Sequence, residues 1–109
     1  MGVTVTRIQL IKLKDGTPES ERNDLEKALR QAPDEIPTVS RWSIGENISP
    51  MYPGAPVYTM IWHTEHESIR GLQVFNTHPY HRDVVWPFLN PDDPRCIAEH
   101  HLTVVYEAE

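Results

Sequence analysis

Apolar and polar residues alternate over residues 3–14 in a way that predicts a β-strand. Apolar side chains occur in both phases of this strand: Val5 and Ile11 in one phase, Ile8 and Leu10 in the other. Successive side chains of a strand point to opposite faces of a sheet. We therefore expect both faces of this strand to be covered.

The next stretch has the spacing of an amphipathic helix. It begins at Thr17 and Pro18, which suit an N-cap and a first helical position. Pro33 and Pro37 are expected to end it. Its apolar face consists of Leu25, Ala28, Leu29 and Ala32.

A second helical region follows the middle of the chain. Residues 64–67 have the form of a capping box and predict a helix start at Thr64. His78-Pro79 restarts a helix, and Pro87 with residues 90–94 ends it. The inward face of this region is predicted to carry Ile69, Leu72, Phe75, His81, Val84, Val85 and Phe88.

Three further strands are predicted over residues 39–48, 57–63 and 101–107, with a Pro- and Gly-containing loop over 49–56. The order β-α-β-β-α-β is the ferredoxin-like plan of an α+β domain, here a single domain over residues 1–109. It gives a four-stranded antiparallel sheet with helices on one face. A second copy of the chain is the simplest cover for the other face, so we expect a homodimer.

Charge and composition exclude several classes of partner. The net charge is −6, from 10 Lys and Arg against 16 Asp and Glu, which argues against nucleic acid and anionic membrane as partners. No apolar run approaches the ~20 residues of a membrane span, and no secretory signal is recognisable. Cys96 is the only cysteine, which excludes an internal disulfide. We expect a cytoplasmic protein with a passive thiol.

Several short motifs occur in order along the chain: residues 11–17 (IKLKDGT), 36–39 (IPTV) and 45–50 (GENISP). The most specific is 76–81 (NTHPYH), an HPxH signature at a helix start. With these motifs the chain resembles the stress-responsive dimeric α/β-barrel (Dabb) family. The resemblance spans nearly the whole sequence.

The resemblance implies a dimeric α/β barrel, in which the sheets of two subunits close around each other and each subunit has a pocket between sheet and helices. Members include plant stress proteins and olivetolic acid cyclase, a cofactor-free enzyme whose catalytic base is the second histidine of the signature. The matching residue here is His81. Arg7, Met60 and Phe75 replace the other polar pocket residues of that cyclase, so the resemblance implies related acid–base chemistry and not the same reaction.

Aligning the strands to the family puts Arg7, Gln9 and Ile11 on one sheet face with residues of the third and fourth strands. We hypothesise that Arg7 orients a carboxylate or enolate oxygen, that His81 moves a proton and that His101 is the third catalytic residue. Hydrogen-bonding and apolar groups would line the rest of the pocket. The candidate substrate-binding residues are Gln9, Ile11, Met60, Trp62, Phe75 and Thr103.

Simpler interpretations remain open for these residues. His81 could be a core histidine whose ring nitrogens are satisfied by neighbours. Arg7 could reach solvent from the end of its strand. The six histidines lack the spacing of a metal motif, and no glycine-rich phosphate loop is present, so no metal and no cofactor are expected.

The favoured function is a cofactor-independent cyclase, lyase or isomerase that acts on a small carbonyl or aromatic, polyketide-like metabolite. One alternative is a non-catalytic stress protein in which the oligomer is itself the function. Another is a small-molecule binding protein with the same pocket and no turnover. The polar load of the pocket favours a ligand, because a purely structural oligomer would be more stable with apolar residues there.

Overall fold

The computed structural model describes residues 3–49, 53 and 57–109. A single-turn π-helix (His81–Val85) lies between the last two helices. The strands and α-helices, in chain order, are β1 (Thr4–Leu13), α1 (Glu19–Glu35), β2 (Val39–Glu46), β3 (Met60–His66), α2 (Ile69–Thr77), α3 (Trp86–Leu89) and β4 (Ala98–Ala108).

The four strands form one antiparallel sheet in the order β2-β3-β1-β4. β1 therefore pairs with β3 on one side and β4 on the other. Arg7, in the middle of β1, lies opposite Thr64 of β3 and Val105 of β4. This topology confirms the α+β, ferredoxin-like fold that the sequence predicts.

The core lies between one face of the sheet and the helices. β1 contributes its odd-numbered residues and β3 its even-numbered ones, because cross-strand partners share a face. Ile11 and Trp62 are fully buried there, as are Leu25 and Leu29 of α1. Each such side chain contributes roughly 1.5–3 kcal/mol by leaving water.

The opposite face of the sheet, called the open sheet face below, carries Leu102, Val104 and Tyr106, which are 45%, 46% and 47% exposed. They continue the phase of Ile8 and Leu10, which pair with Val104 and Leu102 respectively. β1 thus has apolar residues on both faces, and the chain itself covers only one of them well.

The start and end of α1 differ from the prediction. Pro18 is the N-cap residue, and the Thr17 hydroxyl donates to the Lys14 carbonyl oxygen instead of capping the helix. Pro33 lies inside the helix, which continues to Glu35. A proline in the last turn removes only one backbone hydrogen bond, so the helix can run past it.

The predicted capping box at Thr64 is wrong. Thr64 is a buried residue of β3, which begins at Met60 and runs on to His66. The N-cap of α2 is Ser68, whose hydroxyl accepts a hydrogen bond from the Gly71 backbone N–H. Thr64 and His66 are polar, and this hides the strand alternation that continues through them.

The helix after His78 also differs from the prediction. Pro87 does not end it but lies buried in the first turn of α3. Ile69 and Val84 are 53% and 40% exposed, so they do not belong to the inward face. β2 ends two residues earlier than predicted. β3 begins three residues later than predicted, and β4 begins three residues earlier. The predicted loop over 49–56 lies mostly outside the described residues.

Candidate functional site

Arg7 points from the centre of β1 toward the helices and is only 4% exposed. Its Nη2 donates to Gln9 Oε1 at 3.1 Å. The guanidinium carbon lies 5.1 Å from the centre of the Trp62 ring and 5.2 Å from that of Phe75. The alternative in which Arg7 reaches solvent is therefore wrong.

The guanidinium of Arg7 is a buried cation. Burial alone lowers the pKa of Arg7 to about 10, and no carboxylate is among the causes of the shift. The group stays charged at neutral pH, and aromatic faces offset only a small part of the cost of burying it. Its Nη1 has no hydrogen-bond partner among the described residues. An anion at Nη1 would supply the missing counter-charge.

His81 is the first residue of the π-helical turn. Its ring lies 5.0 Å from Phe75 in an edge-to-face contact and nearly parallel to Trp62, with centroids 6.4 Å apart. Nε2 of His81 is buried and finds no partner in the described part of the chain. The core-histidine alternative requires satisfied ring nitrogens, and Nε2 does not meet this requirement.

The surroundings of His81 favour its neutral form. Burial, followed by electrostatic interactions with Arg7 and His78, lowers the pKa of His81 to about 4. At neutral pH the imidazole is therefore uncharged. A neutral imidazole keeps a lone pair that can accept a proton.

Gln9 links Arg7 to His101. Because Gln9 Oε1 accepts from Arg7, the amide nitrogen faces Nδ1 of His101, at 3.3 Å. His101 Nδ1 must then be the acceptor, which assigns its proton to Nε2. Burial and electrostatic interactions with His100 and Arg7 lower the pKa of His101. Half-buried His101 also lines a surface cavity of about 180 Å³ and contacts the edge of Trp86.

The other predicted site residues divide into two groups. The side chains of Ile11, Met60, Trp62 and Phe75 are all at most 1% exposed and belong to the core around Arg7. Thr103 lies on the same sheet face, opposite Gln9, but it is exposed. It therefore lies outside the buried group around Arg7, because β4 is an edge strand that the helices do not cover at this point.

His66 is a second buried histidine, in a segment where the sequence pattern predicts a helix start. It is 0% exposed. Its Nδ1 lies 3.1 Å from the Thr38 carbonyl oxygen and must donate to it, so Nε2 accepts from the Thr64 hydroxyl at 3.1 Å. The ring also meets the edge of Phe75 at 4.9 Å. The sequence offers little signal for it, because Thr64 does not continue the apolar phase of Met60 and Trp62.

Other chemistry is limited within the described ranges. No group of three His, Cys, Asp or Glu side chains there is arranged to hold a metal ion. No helix there combines the length and apolar character that a membrane span requires. Cys96 is a buried free thiol.

The sequence itself decides the family. A sequence model of the stress responsive A/B barrel domain, Dabb, matches residues 5–92. The chain belongs to the Dabb family. This match confirms the resemblance that the motifs of this Dabb domain indicate. The matched range includes the 76–81 signature. No curated protein matches the chain at the sequence level.

An enzyme is among the solved structures with the same fold. A hydroxynitrile lyase from Passiflora edulis superimposes with a TM-score of 0.83 at 14% identity, covering 97% of this chain and 94% of the lyase. A Dabb family protein from Mesorhizobium loti gives 0.72 at 18% identity, with 95% of both chains covered. A dimeric ferredoxin-like protein of unknown function from Thermobifida fusca gives 0.75 at 17% identity, with 97% and 92% covered. At these identities the likeness establishes the fold.

Proposed function

We propose that this Dabb domain is a cofactor-independent acid–base enzyme acting on a small carbonyl compound. Arg7 holds an anionic oxygen of the substrate, and His81 transfers a proton. The observation that carries the proposal is that Arg7 and His81 both contact the ring of Phe75, at 5.2 Å and 5.0 Å, while each keeps a buried nitrogen without a partner in the described chain. Unpaired buried polar atoms are rare in stable cores and point to a role outside stability.

The proton-transfer step follows from the chemistry of these two groups. His81 takes a proton from the carbon next to a substrate carbonyl, and the electron pair of the broken C–H bond moves toward the carbonyl oxygen. The positive Arg7 stabilises the negative charge that develops. His81 then returns the proton to the product, so that no cofactor or redox partner is required.

Substrate binding would also make His81 a better base. The charge of Arg7 contributes to the low pKa of His81 in the free protein. An anion bound to Arg7 offsets this charge, and the pKa of His81 then moves back toward its ordinary value. A general base is most effective when its pKa lies near the working pH.

The reaction class is a lyase, cyclase or isomerase. The hydroxynitrile lyase among the similar structures supports lyase chemistry on this fold. Fold similarity alone is a weak basis for assigning activity. The choice among the three classes therefore depends on the substrate.

We further propose that the working unit is a homodimer joined through the open sheet face, with no nucleic acid or membrane partner. The dimeric description of similar structures supports self-association. The exposed Leu102, Val104 and Tyr106 supply an apolar surface for it. The free thiol of Cys96 is compatible with a reducing compartment such as the cytoplasm.

Proton exchange tests the enzyme proposal with any compound that has an acidic hydrogen next to a carbonyl. Small β-keto acids, their esters and phenolic ketones are incubated with the protein in D₂O, and NMR follows deuterium incorporation next to the carbonyl. We expect the wild type to catalyse exchange of at least one compound and His81→Gln to lose roughly 100-fold or more of the rate.

His63→Gln, which changes a histidine on the opposite face of the sheet, is the matched control and should keep the wild-type rate. Undiminished exchange by folded His81→Gln would refute the proton-transfer role. Saturable binding with no exchange in the wild type would favour the binding-protein alternative. Neither binding nor exchange with any compound would favour the non-catalytic oligomer.

A further inference from the structure

Trp62 has a buried N–H group that no described residue accepts. The residue is 0% exposed, and its indole Nε1 has no hydrogen-bond partner within the described ranges. An indole nitrogen can only donate. Leaving such a donor unpaired in a core costs about 1–3 kcal/mol. The buried N–H group of Trp62 therefore destabilises the fold unless a ligand accepts a hydrogen bond from it.

Arg7 has the same deficiency a short distance away. Its Nη1 also lacks a partner among the described residues, also can only donate, and belongs to a guanidinium whose carbon lies 5.1 Å from the centre of the Trp62 ring. Two obligate donors, one of them cationic, thus lie in the same part of the core. A group that satisfies both must offer acceptors, and a negative charge on it would also match the guanidinium.

We infer that Arg7 Nη1 and Trp62 Nε1 together bind the carboxylate of the substrate. This inference rests on the proposed function and narrows it, because it names the substrate class as small carboxylic acids. A carboxylate has two oxygens that accept and none that donate, and a pair of charged hydrogen bonds is stronger than a neutral pair. Neutral alcohols and amines, which also donate, fit these two groups less well.

The position of His81 restricts the class further. The centre of its ring lies 5.0 Å from the centre of the Phe75 ring, and the Arg7 guanidinium carbon lies 5.2 Å from the same centre. We therefore place the proton that His81 moves on a part of the substrate close to the carboxylate. A β-keto acid meets this condition, since its acidic C–H group lies between the carboxylate and the second carbonyl.

The indole N–H signals of ¹⁵N-labelled protein test the inference directly. The chain has three tryptophans, and Trp42→Phe and Trp86→Phe assign the signal of Trp62 by elimination. Acetoacetate and benzoylacetate are titrated against their methyl esters, which keep the shape but lose the negative charge. We expect a saturable downfield shift of the Trp62 signal with the acids, and at least about 10-fold weaker binding of the esters.

Two variants separate the two donors. Arg7→Met keeps a long side chain and removes the cation, and it should weaken binding of the acids about 10-fold or more, whereas Arg82→Met, which changes an exposed arginine, should not. Replacing Trp62 by its benzothienyl analogue, which removes only the N–H group, should also weaken the acids but not the esters. Tight binding of the acids to the benzothienyl protein would overturn the role of Trp62.

The outcomes distinguish this inference from the proposed function. A Trp62 shift with the acids but no deuterium exchange would uphold the carboxylate site and overturn the enzyme proposal. His81-dependent exchange of the esters with no Trp62 shift would do the reverse. No saturable shift with either acid, or equal affinity for acid and ester, would overturn the carboxylate site.

Discussion

His66 and His81 are both held in the neutral form, but by different surroundings. His66 is fixed by two hydrogen bonds, one through each ring nitrogen, and burial lowers its pKa. His81 keeps an Nε2 without a partner among the described residues, and burial lowers its pKa to about 4. The first histidine is fully satisfied by the protein, whereas the second retains an atom free for chemistry.

The low pKa of His81 makes the stability of the protein depend on pH. The folded pKa lies below the ordinary value of 6.5, so the unfolded chain binds more protons between about pH 6.5 and 4. This contribution is complete above pH 6.5 and is lost as the pH falls through that interval. We expect the wild type to lose on the order of 2 kcal/mol more unfolding free energy than His81→Gln between pH 7 and pH 5.

Urea unfolding of the two proteins at a series of pH values measures this difference. Carboxylates and the other histidines are common to both proteins, so they cancel in the comparison. Parallel curves for wild type and His81→Gln would show that His81 titrates normally in the folded state and is not buried as described.

At the residue scale, the sequence predicts toward which face of the sheet each side chain of a strand points. The register places Arg7 and Gln9 on the face of Trp62, as the strand alignment predicts. Burial cannot be read in the same way, because it depends on what covers each strand. Arg7 lies under the helices and is closed off, whereas Thr103 shares its face but lies on an uncovered edge strand.

The π-helical turn at His81 has a cause in the sequence. Pro87 lacks an N–H group, and in a regular α-helix its ring would collide with the carbonyl of Asp83. The chain widens instead, so that the Trp86 N–H reaches back five residues to the His81 carbonyl oxygen. Such wide turns often occur at functional sites. Pro87 is therefore inferred to set the orientation of His81.

Replacing Pro87 by alanine tests this relation. Without the proline the turn can close to regular α-helix, which changes the angle at which His81 leaves the helix. We expect Pro87→Ala to move the pKa of His81 from about 4 toward 6.5, as measured by NMR titration of its ring protons. Pro79→Ala, at the start of the same segment, is the control. An unchanged His81 titration in Pro87→Ala would show that the π turn does not depend on the proline.

At the element scale, types are easier to predict than ends. The spacing of apolar residues marks α1 and β1 clearly, since each buries a long regular stripe. The capping box at Thr64 misleads because Thr64 lies inside β3 and Ser68, four residues further on, caps α2. Pro87 resembles a helix end in the sequence, but the cost of a proline can also be met by widening one turn.

At the scale of the molecule, the open sheet face is the proposed dimer surface. A row of side chains on β4, each nearly half exposed, continues the half-buried apolar residues of β1. The sequence pattern predicts this face, because apolar residues in both phases of a strand need cover on both sides. The pattern does not identify the partner, since any apolar surface could cover these side chains.

Val104→Glu tests the dimer. A glutamate at the centre of an isologous interface is buried twice, once in each subunit, so we expect the dimer dissociation constant to rise at least about 100-fold. Size-exclusion chromatography with light scattering measures the mass. Val74→Glu changes a valine of similar exposure on α2, 43% against 46%, and should remain dimeric. Equal masses for all three proteins would exclude this face as the interface.

The position of β1 also determines when the protein is vulnerable during its synthesis. β1 is the first strand to be made, yet its neighbours are the third and fourth, and the contact of Gln9 with His101 spans 92 residues. At about 5–20 residues per second, the ribosome needs several seconds to deliver β4. Throughout that time β1 has an unpaired edge of the kind that drives aggregation. Slow translation of the segment before β4 would therefore lengthen the time for which the β4 side of β1 stays unpaired.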